Sequence, residues 1–196
     1  DRWVLNERIV ASDASVFDSF GQSVHIKGDR LVVGAWGDDD AAPNAGAVYV
    51  FRLLSDVWLP EQKLIAQGAG ASDMLGASVA IDGQTIVSGA VMGDGAAPDS
   101  GAAPVFQYTG EGWIQVATIA GQATGAYTGA SVALCDDLLL IGAPFDDAGG
   151  EDAGRVLAFD LGVPACPGDI DLDCLVGVSD AVEFLALFES MHPSAD

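Results

Sequence analysis

The chain has 196 residues, half of them hydrophobic and 18% charged, with 29 acidic against 7 basic side chains and a formal net charge of −22 at pH 7. So much apolar material excludes a disordered acidic tail, and a surface this negative excludes nucleic acid and anionic membrane as partners because it repels their phosphates. No apolar run approaches the ~18 residues of a membrane helix, so membrane insertion is not expected.

The acidic balance suits cations, or simply keeps loops soluble in a salty or extracellular medium. The chain opens at Asp1 with neither a methionine nor a visible signal peptide, as a processed product or a fragment of something longer would.

In chain order, one pattern occurs three times. A tryptophan opens each copy (Trp3, Trp58, Trp113), and a glycine follows at Phe20-Gly21, Leu75-Gly76 and Thr128-Gly129. From that glycine, 13 residues lead to Gly34, Gly89 and Gly142, and 12 more to Gly46, Gly101 and Gly154. An aromatic closes each copy at Phe51, Phe106 and Phe159, and the glycine period is 55 residues, then 53. Periods of this size signal stacked modules rather than one conventional core.

Within a copy the elements are strands. Ser23–Lys27 and Leu31–Ala35 flank a Gly28-Asp29 turn; Ser78–Ile81 and Thr85–Ala90 flank Asp82-Gly83. Such turns between β-branched runs predict hairpins, because the turn needs positive φ. The third copy has Asp136-Asp137, which tolerates that geometry less well. The second strand of each copy, Leu138–Ile141 above all, is continuously apolar and predicts a sheet covered on both faces. A third strand (Ala47–Phe51) and a fourth from the tryptophan through Pro60–Ile65 complete a four-stranded module, each sandwiched by the next: a propeller blade. Cys135, inside an apolar strand pattern, is expected to be a buried, inert thiol.

Asp18–Val24, Val32–Ala35 and Gly46–Phe51 resemble the FG-GAP repeat of integrin-like β-propellers. The resemblance covers about residues 1–160, with repeats at about 11–65, 66–118 and 119–160. It implies an all-β fold of propeller-type four-stranded blades. Propellers close with about four to eight blades, so three make an incomplete one whose open faces need further blades or self-association. Integrin-type blades carry a calcium loop between their first two strands. The tight turns Lys27–Arg30 and Asp82–Gln84 cannot supply six to eight oxygens, so those sites are not carried over.

Acidic residues gather instead between the Gly-Ala strand and the next: Asp38, Asp39 and Asp40; Asp94 and Asp99; Asp146, Asp147, Glu151 and Asp152. These loops lie on one rim if the modules are equivalent. They are either a cation-assisted ligand rim or solvated turns whose carboxylates bind their own backbone.

After Phe159 the register stops. Residues 161–168 read as a linker, and 169–190 as a separate element. Asp169, Asp171, Asp173 and Asp180 stand at places 1, 3, 5 and 12 of a loop, with the Leu175 carbonyl at place 7, the spacing that wraps one Ca2+. A helix is expected next, N-capped by Ser179, with Ala181, Phe184, Leu185 and Phe188 as its apolar stripe. This segment resembles half of a type I dockerin, departing from it at Cys174 and Gly177. A complete dockerin has two such repeats, so cohesin binding is not implied. The alternative there is a turn without metal, pinned by a Cys166–Cys174 disulfide that would imply an oxidising compartment.

The catalytic inventory is poor. The chain has two histidines, His25 on a strand and His192 in the tail, and neither lies in a motif. The expectation is therefore a non-enzymatic, secreted or cell-surface module for adhesion, recognition or scaffolding, binding an extracellular protein or polysaccharide and attached through its calcium loop. The alternatives are part of a carbohydrate-processing extracellular enzyme or its accessory module, and a purely structural spacer.

Overall fold

The computed structural model describes residues 4–136 and 138–160, and in it three antiparallel sheets follow one another along the chain, with no helix among the described residues. β1 (Ser23–Lys27), β2 (Arg30–Ala35), β3 (Ala47–Leu54) and β4 (Val57–Leu64) pair in sequence order as blade 1. β5 (Leu75–Asp82), β6 (Thr85–Ala90), β7 (Ala102–Tyr108) and β8 (Trp113–Ala120) repeat the arrangement as blade 2. Blade 3 holds β9 (Ser131–Cys135), β10 (Leu138–Ala143) and β11 (Arg155–Asp160), and no fourth strand among the described residues. The expected all-β, propeller-type blade architecture is the one the chain adopts. The linker and the calcium loop with its helix lie outside the described residues.

The local chemistry explains the strands. In β1–β2, Lys27 pairs with Arg30 across a two-residue turn, and Gly28 takes a φ of 60° that costs glycine no Cβ clash. Gly83 does the same at 53° between the paired Asp82 and Thr85. In the third hairpin Asp136, not a glycine, takes a positive φ of 51°. β3–β4 and β7–β8 each carry a register shift at the same place, after Val50 and Val105, where the outer strand holds one extra residue and twists away. Pro104 lies in the inner strand β7, and the β6–β7 ladder runs Thr85–Gln107 to Val87–Val105 and resumes only at Ala90–Ala102.

Blades stack face to face. The blade 1–blade 2 core joins Val32, Val48, Val50 and Leu64 to Leu75, Val79, Ile81, Ile86, Phe106 and Trp113, all buried. β5 packs against β1 and β2 on one side and β9 on the other, so blade 2 is covered on both faces. The inner strands approach closely because glycine lines them. A Cβ on Gly34 would stand 2.0 Å from the Gly76 carbonyl oxygen, and one on Gly89 would stand 1.9 Å from that of Gly129. Ser23 and Ser78 hydroxyls donate to those same two carbonyls, at 2.8 and 2.7 Å.

Two expectations need correction in blade 3. Its second strand alternates rather than being covered on both faces: Leu139 and Ile141 are fully buried, while Leu138 and Leu140 keep 49% and 36% of their surface. Cys135 is an exposed free thiol, not a buried one. Both follow from one cause, since among the described residues no sheet covers the far face of blade 3. The opposite face of blade 1 is partly covered by the N-terminal segment, where Ile9, Ala11 and Phe20 pack with Val33, Tyr49 and Phe51.

Candidate functional site

The acidic residues occupy the connections between the second and third strands of each blade, at residues 36–46, 91–101 and 144–154. All three loops share a frame. An aspartate oxygen accepts from the backbone N–H five residues on: Asp39 from Asn44 at 2.6 Å, Asp94 from Asp99 at 3.1 Å, Asp147 from Asp152 at 2.8 Å. The donors Asn44, Asp99 and Asp152 sit at φ near 50°, a left-handed geometry that Asn and Asp adopt more readily than most residues. Each loop then closes by an N–H···O bond of 3.0 Å, from Gly46 to Asp38, Gly101 to Gly93 and Gly154 to Asp146.

Asp38 and Asp146 are buried, and each is neutralised from within. Asp38 accepts the Tyr49 hydroxyl at 2.8 Å, the Asp40 N–H at 3.2 Å and the Lys63 ammonium at 2.7 Å. Asp146 accepts the Ala148 N–H at 3.0 Å and Nη2 of Arg155 at 2.7 Å. In blade 2 the matching position is Gly93, and the places of Lys63 and Arg155 are held by Thr118 and Ala102. Where the buried carboxylate is missing, so are both cations.

Carboxylates of Asp13, Asp38 and Asp40 lie within 4.8 Å of one another, the oxygen density a divalent cation would need. Lys63 stands among them, its Nζ 2.8 Å from Asp13, 2.7 Å from Asp38 and 2.6 Å from Asp40. The cluster thus suits an ammonium that the chain itself supplies. Burial disfavours the charged Lys63, but the three carboxylates outweigh it and raise the pKa above its ordinary value. Lys63 in turn holds the Asp13 carboxyl below the usual range. Burial pushes the Tyr49 hydroxyl up, with Asp38 and Asp13 adding to the rise against Lys63.

Of the rim residues expected from sequence, Asp38, Asp39, Asp40, Asp94, Asp146 and Asp147 direct at least one oxygen to loop backbone or an internal cation. Asp99 and Asp152 serve through backbone N–H, and Glu151 is exposed. Asp13, Tyr49, Lys63 and Arg155 complete the arrangement and carry no motif of their own. Asp169, Asp171, Asp173, Leu175 and Asp180 lie outside the described residues. His25, the histidine among the described residues, is spent on structure: its Nδ1 accepts the Ile81 N–H of the next blade at 2.8 Å.

The family model of the FG-GAP repeat matches residues 3–51, 58–106 and 113–159. No curated protein is similar enough to this chain to count as a match. No helix among the described residues is long and apolar enough to cross a membrane. The matched segments coincide with the three sheets and their opening tryptophans and cover most of the chain, which therefore belongs to the FG-GAP repeat family.

Proposed function

We propose that the chain is a non-enzymatic binding and scaffolding module of the extracellular medium or cell surface, attached through a calcium-dependent C-terminal segment. FG-GAP repeats are found in adhesion and extracellular propeller modules, and the loops give that reading its physical support. Their frame bonds are the same in all three blades while the outward residues differ: Asp40–Pro43, Gly95–Pro98, Ala148–Glu151. A rigid frame carrying variable exposed residues is how loop rims acquire ligands without losing the fold. Commitment of His25 to a blade junction points the same way, because it leaves the described residues without a histidine base.

The metal is assigned to Asp169, Asp171, Asp173, Asp180 and the Leu175 carbonyl rather than to the rim, where Lys63 already serves the densest carboxylates. Calcium titration by calorimetry on the intact chain and on the Asp169→Ala, Asp171→Ala variant tests this. One calcium that disappears in the variant is the expected result. Several calciums persisting in the variant would move binding to the acidic loops, and no calcium at all would overturn calcium-dependent attachment.

A further inference from the structure

Two faces of this molecule are halves of a junction it has already built twice. At the blade 1–blade 2 and blade 2–blade 3 junctions, a Gly of one blade enters the glycine-lined inner strand of the blade before. Ser23 donates to Gly76 and Ser78 to Gly129, while the backbone N–H of Leu75 donates to Ala45 and that of Thr128 to Ser100, at 2.9 and 3.0 Å. Among the described residues, the same receptor at the far face of blade 3 is a cleft of about 530 Å³ that no sheet covers, lined by Ser131, Gly142, Ala143, Gly154 and Val156. The Ser131 hydroxyl has no partner among the described residues. A Cβ on Gly142 would meet only Ser131 of its own sheet, not a neighbour's carbonyl.

The matching insert stands open on blade 1. Gly21 has a φ of 93°, against 90° at Gly76 and 94° at Gly129, yet nothing lies within 4 Å of where its Cβ would be. Val24 and Ile26 are 63% and 57% exposed, whereas their counterparts Val79 and Ile81 are 8% and 1%.

The N-terminal segment supplies what blade 3 lacks among the described residues. The Trp113 N–H donates to the Gln62 side chain at 2.8 Å, and one repeat earlier the Trp58 N–H donates to Glu7 at 3.3 Å. Residues 4–11 therefore lie on blade 1 as β4 lies on blade 2, in the position of a preceding blade's fourth strand. Charge gives the identity of that blade. The fourth-strand position carrying Lys63 in blade 1 carries Thr118 in blade 2 and Arg8 in the N-terminal segment. The facing loop position carries Asp38, Gly93 and Asp146. Arg8 is exposed and has no partner among the described residues, and Asp146, paired with Arg155 of its own blade, has no cation from a fourth strand among the described residues.

We propose that a second copy of this chain docks blade 1 onto blade 3, head to tail. Gly21 of the second copy seats in the cleft and accepts the Ser131 hydroxyl, residues 4–11 of the second copy extend the sheet beyond β11, and its Arg8 faces Asp146. The contact is heterologous, so it either closes or propagates. Two copies of three blades fall within the range of about four to eight at which propellers close, so the product is a closed pair.

Sedimentation at tens of micromolar tests the assembly on the full chain. The expected mass is twice the 20.0 kDa of one chain. The Ser131→Ala, Gly142→Ala variant places a methyl where the second copy's Gly21 carbonyl must sit, and Arg8→Glu reverses the charge offered to Asp146. Each is expected to sediment as a single chain with unchanged far-ultraviolet circular dichroism. Mixed together, they retain one undamaged junction and should pair again. A monomeric parent, an open polymer, variants that pair as the parent does, or a mixture that stays monomeric would each overturn the proposal.

Discussion

At the scale of the residue, the decisive pairing is Lys63 with Asp38. Asp38 keeps only 4% of its side-chain surface, while Lys63 keeps 20%. Removing the ammonium by Lys63→Met strands a buried carboxylate, which costs about 3–5 kcal/mol when both partners are fully buried. Lys63 is partly wet, so a loss of about 2 kcal/mol is expected in urea unfolding. Adding Asp38→Asn should return part of it, because an amide still accepts the Tyr49 hydroxyl without a charge. This pairing was hidden in the sequence for a physical reason: Lys63 lies on a fourth strand and Asp38 in an earlier loop, and only the sheet brings them together. One signal was legible, the joint absence of acid and base at Gly93 and Thr118.

At the scale of the element, blades hold one another by polar contacts that copy the backbone. The Gln62 side chain accepts the Trp113 N–H at 2.8 Å and donates to its carbonyl at 2.9 Å, as an adjacent peptide group would. Outside it, Arg30 lies 4.6 Å from the Tyr108 ring centre and 5.4 Å from that of Trp113, and is paired with Glu61 at 3.2 Å. Gln62→Leu keeps the size and removes both bonds, leaving a partly buried N–H and C=O unmatched. About 1–2 kcal/mol should be lost, and the fluorescence of Trp113 should shift as its strand loosens. The strands themselves were legible, because glycine spacing, turn residues and closing aromatics are set within one repeat. Exposure was less so. Leu140 occurs in the same apolar pattern as Val32 and Val87, which are buried, and only the presence of a covering sheet decides its fate.

At the scale of the whole molecule, charge sets the response to acid. Lys63 holds the Asp13 carboxyl below its ordinary 3.8, Arg52 does so for Asp29, and the Asp136 N–H together with Lys27 for Asp82. Carboxyls depressed by folding contribute stability in full above the unfolded value near 3.8, and lose it as pH falls through their lower folded values. The unfolding midpoint should thus be flat through neutral pH and drop below about pH 4, most steeply at low salt. Equal stability at pH 3 and pH 6 would refute this. The three-blade organisation was legible at this scale, since the repeat period is a property of the chain.

Coverage is graded along the chain, and so, in consequence, is persistence in time. β6 and β7 of blade 2 are buried nearly throughout, whereas β1 and β11 alternate between half-covered and exposed residues. In a single chain, where each module is secured by its neighbours, the less covered ones open first and most often. The middle blade is then the last part to yield to heat, solvent or protease, and the first place from which refolding spreads outward.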